Sequence, residues 1–265
     1  MDYPAANYLI LETFSVINFV VMFFFFFFLH KKKDWTNTQK ALFFMSFSLL
    51  TTITHYIPVF VEWFKGTPYT MDTIPDIYYL PVYPCNMLMI ANLLFIPLVF
   101  MNNRATKVLA PFLFVFGCFC GFFGLVLNFN FLDDPTWGNL VGVKSIVSHV
   151  FLLYTCISLC VFGYVDFRTV PSLISSLIGL AYFLGCFFLS KNVLAARGED
   201  VSNFDPLLIH GLSEELRALN LYLFIPLVLV TLLALTTLYE TKALPLEQRW
   251  YYKLKHAHKE KGENI

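Results

Sequence analysis

The sequence predicts an all-α polytopic integral membrane protein of seven transmembrane helices, N-terminus outside and C-terminus cytoplasmic. Three observations carry this expectation. Of 265 residues, 58% are hydrophobic and only 14% charged, where an ordinary soluble domain carries roughly 25% charged residues. The apolar residues fall into runs of about 20, the length at which a helix crosses a hydrocarbon core of about 30 Å. Lys and Arg are dense in alternate loops, as in chains that cross a membrane repeatedly. Residues 1–241 read as one transmembrane domain and 242–265 as a basic cytoplasmic tail.

The first span covers residues 8–29 and ends in six consecutive phenylalanines, Phe23 to Phe28, a run that marks no face and suits an end surrounded by lipid. It lacks a basic start and carries Glu12 and Asn18, so it does not read as a cleaved signal peptide. The second span, 41–64, follows a basic stretch from His30 to Lys40, and a polar loop with Gly66, Pro68 and Pro75 leads to the third, 80–101. The fourth, 108–132, is expected to be loosened by Gly117, Gly121 and Gly124. A turn from Asp133 to Asn139 precedes the fifth, 140–165. Pro171 suits the first turn of the sixth, 171–189. Residues 191–203 read as a loop. The seventh begins between Pro206 and Leu219 and ends near Tyr239.

Orientation follows from the basic residues. Lys31, Lys32, Lys33, Lys40, Arg104, Lys107, Arg168, Lys242, Arg249, Lys253, Lys255, Lys259 and Lys261 lie on one side. Lys65, Lys144, Lys191, Arg197 and Arg217 fall on the other. The positive-inside rule makes the first set cytoplasmic. No internal repeat supports an inverted-repeat transporter. A formal net charge of zero gives no pull toward nucleic acid. The six cysteines all lie in apolar segments, without CxxC or His/Cys metal spacing, so disulfides, zinc and other cofactors are not expected.

With that orientation the polar residues inside the spans gather in the outer half: Glu12, His55, Glu62, Cys85, Asn86, Asn128, Asn130, Lys144 and His149. Ionisable groups in a bilayer are costly enough to be functional candidates, and an outward-opening polar cavity accounts for most of them. Glu12 and Lys144 are near enough to the interface to snorkel. His55 and Glu62, seven residues apart on one helix face, suit either a structural polar pair or a ligand contact. Cys85 with His149 is the sharpest pair, since an imidazole beside a thiol makes a nucleophile for acyl carbonyls. At 1.5 Å per residue the two lie roughly 8 and 14 Å below the outer ends of their spans, and meet if the third and fifth spans are neighbours. Ser145, His149 and Cys156 share a helix face. The Pro81-x-x-Pro84 spacing leaves irregular amides near Cys85, able to stabilise an oxyanion. Cys118, Cys120, Cys156, Cys160 and Cys186 read as packing. His210 with Glu214 reads as the surface start of the seventh helix, and His30, His256 and His258 as parts of solvated basic stretches.

The segment Tyr79-Leu80-Pro81-Val82-Tyr83-Pro84-Cys85-Asn86-Met87 resembles the LPLHLC-type motif that opens a central helix in the YwaF family of bacterial integral membrane proteins. The run from Ser145 to Tyr154, with His149, looks like that family's second landmark. The family is related to eukaryotic transmembrane phospholipid acyltransferases. The resemblance therefore implies a plasma-membrane enzyme acting on membrane lipids, with Cys85 carrying the acyl group and His149 as base. The family's histidine two residues before the cysteine is Tyr83 here. His55, Glu62, Tyr83, Asn86 and Ser145 are the expected substrate contacts. Two other readings stay open: a non-catalytic binding or transport protein, and an accessory subunit of a membrane complex. A retinal protein is disfavoured, because residues 219–239 contain no Lys for a Schiff base.

Overall fold

The computed structural model describes residues 4–31, 34–66, 78–198 and 214–262. The described residues form helices α1 (Ala5–Lys31), α2 (Asn37–Phe64), α3 (Pro84–Met101), α4 (Arg104–Val126), α5 (Phe129–Leu132), α6 (Leu140–Val161), α7 (Thr169–Ala196), α8 (Glu214–Ala243) and α9 (Trp250–Gly262), without a strand. Six stretches among them are long and apolar enough to cross a membrane: α1, α2, α3, α4 continued through α5, α6 and α7. The start of the seventh predicted span before Glu214, His210 included, lies outside the described residues.

Local chemistry sets the helix ends. Thr36 opens α2 with a capping box: its hydroxyl accepts from the Gln39 amide, while the Gln39 side chain accepts from the Thr36 amide. The helix therefore starts at Asn37, earlier than apolarity alone indicates. Asn103 and Thr106 do the same for α4. The third span starts later than expected. Tyr83 is extended because a residue before proline avoids the helical region, and Pro84 fits the first helical position. Cys85 is thus the second residue of α3. At the other extreme, α7 runs on through residues 191–196, in a stretch expected to be loop. Leu194 is buried there, packed with Leu80 and Val82, which pins that extra turn.

The helix α6 is the centre of the bundle. It packs mainly between α2 and α4 and touches α3 little, while α4 also carries α7. Gly117, Gly121 and Gly124 recur on one face of α4, and they seat α6 rather than loosen their helix. A Cβ at these positions would come within 2.0 Å of Cys156 Sγ, 2.6 Å of Leu153 Cγ and 2.0 Å of His149 Cδ2 respectively. Absent side chains let two backbones approach, the usual route to close packing in lipid. The helix α1 is peripheral. Its phenylalanine run does have a face: Phe26 is buried with its ring 5.3 Å from Tyr154, while Phe23, Phe24, Phe27 and Phe28 are exposed.

The two ends of the bundle differ. At one end Asn37 donates to the Phe100 carbonyl (3.0 Å), the Tyr164 hydroxyl to Asn37 (2.9 Å) and the Thr169 amide to Glu240 (2.9 Å). These contacts gather the start of α2, the ends of α3, α6 and α8, and the start of α7. The opposite end joins Asn7 to the Leu132 carbonyl (2.8 Å) and Ser190 to the Pro81 carbonyl (3.1 Å). Cys85 and Lys144 lie at this second end, away from Lys40, Arg168 and the tail.

Candidate functional site

The site is built around the start of α3. The Val82 amide bonds the Leu80 carbonyl (2.8 Å) in a tight turn, and the first helical bond runs from the Met87 amide to the Tyr83 carbonyl (2.9 Å). The amides of Cys85 and Asn86 precede that bond, so no helical carbonyl claims them. Both lie within electrostatic reach of the half-buried Cys85 sulfur, as does the Lys144 ammonium. The thiol itself donates to Asn86 Oδ1 at 3.7 Å. The irregular amides expected from the two prolines are therefore helix-start amides beside the sulfur.

Lys144 does not snorkel. It is only 7% exposed, and its ammonium lies 5.2 Å from the centre of the Tyr78 ring. Tyr78 in turn stands 5.0 Å from the buried His55 ring, and the Tyr56 hydroxyl donates to its carbonyl. Among the described residues the ion pairs are Lys65–Glu62 (3.0 Å) and Arg168–Asp166 (2.5 Å), neither of which involves Lys144. A cation–π contact of this kind contributes about 0.5–2 kcal/mol.

His149 sits deeper on α6. Its Nδ1 lies 2.6 Å from the Ser145 carbonyl, which can only accept, so Nδ1 carries the proton and Nε2 keeps its lone pair. The Ser145 hydroxyl accepts from Asn128 Nδ2 (3.0 Å), which also donates to the Gly124 carbonyl (2.9 Å). Asn128 Oδ1 accepts from the Phe131 amide (3.2 Å), capping α5 where α4 ends. The imidazole is therefore oriented by its own helix and walled by Gly124.

The structure brings the expected residues together unevenly. Cys85, Asn86, Lys144 and Tyr78 form one group, with His55 behind Tyr78; Ser145 and His149 form another with Asn128. No hydrogen bond joins Cys85 to His149, since α3 and α6 touch little and Lys144 is the α6 side chain with electrostatic reach to the sulfur. Glu62 pairs with Lys65 at the end of α2. Tyr83 packs half-buried against the cluster of Leu80, Val82 and Leu194. Cys156 is fully buried and accepts from Asn92 (3.6 Å), as suits a packing thiol. Glu12 and Asn130 are exposed. The sequence reading passed over Lys144 and Tyr78 as site residues. The available signal was position: Lys144 adjoins Ser145, Ser148 and His149, a polar stretch that a snorkelling lysine does not need. Compared with models of known protein families, with curated proteins and with solved structures, the chain matches none.

Proposed function

We propose that this chain is a seven-span membrane protein, N-terminus outside, that acts as a lipid acyltransferase or lipid hydrolase through Cys85 and His149. The helix α8 supplies the seventh span, and the basic loops and tail take the cytoplasmic side. The observation that carries the chemical reading is the setting of the Cys85 thiol, in the first turn of α3 beside the Cys85 and Asn86 amides and within electrostatic reach of Lys144. Such a setting offers amides and a cation to the oxyanion that forms when the sulfur attacks an ester. The YwaF resemblance points to the same two residues.

In this reaction His149 Nε2 takes the thiol proton, directly or through substrate-driven closure of the gap between α3 and α6. The thiolate adds to the ester carbonyl of a membrane lipid, and the oxyanion collapses with cleavage of the C–O bond. The leaving alkoxide takes the proton back from His149. A lipid hydroxyl, or water in the hydrolase case, then cleaves the Cys85 thioester with His149 again serving as base. The test is labelling with an alkyne-tagged phospholipid acyl chain. Wild type acquires a hydroxylamine-labile label on the Cys85 peptide, Cys85→Ala loses it, and Cys156→Ala keeps it. Equal labelling of wild type and Cys85→Ala rejects the reading.

One observation favours a second reading, a non-catalytic binding protein: Cys85 and His149 share no hydrogen bond. On that reading His149→Asn leaves ligand binding intact and no acyl label forms on any variant.

A further inference from the structure

We infer that α9 lies on the membrane surface and binds the anionic headgroups of the leaflet at its end of the bundle, with Leu254 entering the apolar edge and Lys253 and Lys255 meeting the phosphates. The inference stands apart from the Cys85 chemistry, which belongs to the opposite end.

The depth of α9 is set by one carboxylate. Glu240 accepts from the Thr169 amide (2.9 Å) at the start of α7 and from the Trp250 amide (2.7 Å) at the start of α9. The helix α7 is long and apolar enough to cross a membrane, so α9 begins where that span meets the headgroups. Leu238 and Tyr239, just before Glu240 on α8, are exposed at the same level. Trp250 is turned to α8, its indole N–H donating to Thr237 (2.9 Å), and Arg249 is taken up by the Leu244 carbonyl (2.9 Å). Leu254 follows Trp250 by one turn on the same face, yet it is 58% exposed. The bundle thus covers this face at Trp250 and leaves it open at Leu254. Lys253 and Lys255 are also exposed, and they leave the helix about 100° to either side of Leu254. Neither joins an ion pair among the described residues. A leucine with a lysine on each flank, at this depth, suits a helix lying in the interface. The apolar side chain enters the hydrocarbon boundary while the lysine stems bend toward the headgroups. Charge then selects the lipid. Between residues 249 and 262, Arg249, Lys253, Lys255, Lys259 and Lys261 stand against one acid, Glu260, and clustered lysines beside a membrane favour anionic over zwitterionic lipid.

The test compares the full chain, one copy per lipid nanodisc, in discs of phosphatidylcholine alone and in discs with about 30% phosphatidylglycerol. Amide hydrogen exchange over residues 251–256 is read by mass spectrometry. Each lysine near an anionic surface is worth about a fivefold shift in equilibrium. Exchange is therefore expected to slow about tenfold or more in the anionic discs, and the difference to shrink in about 0.5 M salt. The variant carrying Lys253→Gln and Lys255→Gln, which keeps helix propensity, loses the difference. Leu254→Gln exchanges faster than wild type in both discs. Unchanged exchange across α6 reports an intact bundle in each variant. Equal exchange of α9 in the two lipids, or a difference that survives in the double glutamine variant, overturns the inference. Protection that appears only with two copies per disc assigns the face to a second chain and overturns it as well. The acyl label on Cys85 is scored separately, so either reading can fail without the other.

Discussion

Gly124 of α4 and His149 of α6 are in direct contact: a Cβ on Gly124 would lie 2.0 Å from Cδ2 and 2.1 Å from Nε2 of the imidazole. Nothing flexible intervenes, because Nδ1 is held by the Ser145 carbonyl. Gly124→Ala must therefore displace the ring or spread the helices, at about 1–3 kcal/mol for overpacking. Gly185 of α7 is the control, since nothing lies within 4 Å of its added Cβ. There alanine stabilises by up to about 1 kcal/mol through helix propensity alone. Thermal melts in detergent check both, with opposite signs expected. Acyl labelling of Cys85 falls in Gly124→Ala and not in Gly185→Ala. A Gly124→Ala protein as stable and active as wild type contradicts the packing of His149.

Asn128 links three backbone or side-chain groups at the break between α4 and α5. Asn128→Ala leaves buried partners unmet and is expected to cost about 1–3 kcal/mol, whereas Ser145→Ala removes only one of the bonds. A double-mutant cycle on the two should give a coupling of about 0.5 kcal/mol or more. Strict additivity in unfolding experiments argues against the shared hydrogen bond.

Much of the fold was legible in the sequence, because in lipid the length of an apolar run dictates a helix directly. The six spanning stretches and the glycine-bearing fourth span came from residues alone, while the third span starts at Pro84 and not at residue 80. What failed had a common cause: the sequence gives depth along a helix but not the direction in which a side chain leaves it. Lys144 at its depth suits snorkelling, yet its side chain is only 7% exposed and lies beside the Tyr78 ring. Phe26 is chemically identical to Phe27 and differs only in facing Tyr154. Cys85 and His149 were placed at plausible depths, but their contact depends on which helices adjoin α6. That choice is made by Gly117, Gly121 and Gly124 drawing α4 close: their spacing is visible in the sequence, but the helix they receive is not.

Glu240 illustrates a tie that periodicity could not disclose. Its buried carboxylate accepts from the Thr169 amide (2.9 Å) and hydroxyl at the start of α7, and from the Trp250 amide (2.7 Å) at the start of α9. One side chain thus caps two helix N-termini, where negative charge is favoured. Trp250 is held further by its indole N–H on Thr237 (2.9 Å). With each cap contributing about 0.5–2 kcal/mol, Glu240→Ala should lower stability by about 1–4 kcal/mol for the pair. Glu240→Gln, which keeps an acceptor oxygen, should fall between. Hydrogen exchange at residues 250–256 should accelerate in Glu240→Ala. Unchanged exchange there means that α9 is docked by other contacts.

Asp166 gives a prediction in pH. Burial works against its carboxylate, but Arg168 outweighs it. The guanidinium donates from Nε (3.0 and 2.9 Å) and Nη2 (2.5 Å), and the Arg168 amide adds a fourth bond (3.1 Å). The carboxyl is therefore held below the usual aspartate range. A group whose folded pKa is depressed stabilises fully above its unfolded value, about 3.9, and loses that contribution as pH falls through the lower folded value. Arg168 is 58% exposed, so screening limits the pair to at most about 1 kcal/mol. Asp166→Asn should melt slightly earlier than wild type at pH 7 and at pH 5, with the gap closing as the pH falls below the ordinary aspartate range. Because both proteins share every other carboxylate, the difference between their melting curves isolates this one. A gap that is unchanged from pH 7 to pH 2, or that widens in acid, means that the Arg168 contacts do not act on an ionised Asp166.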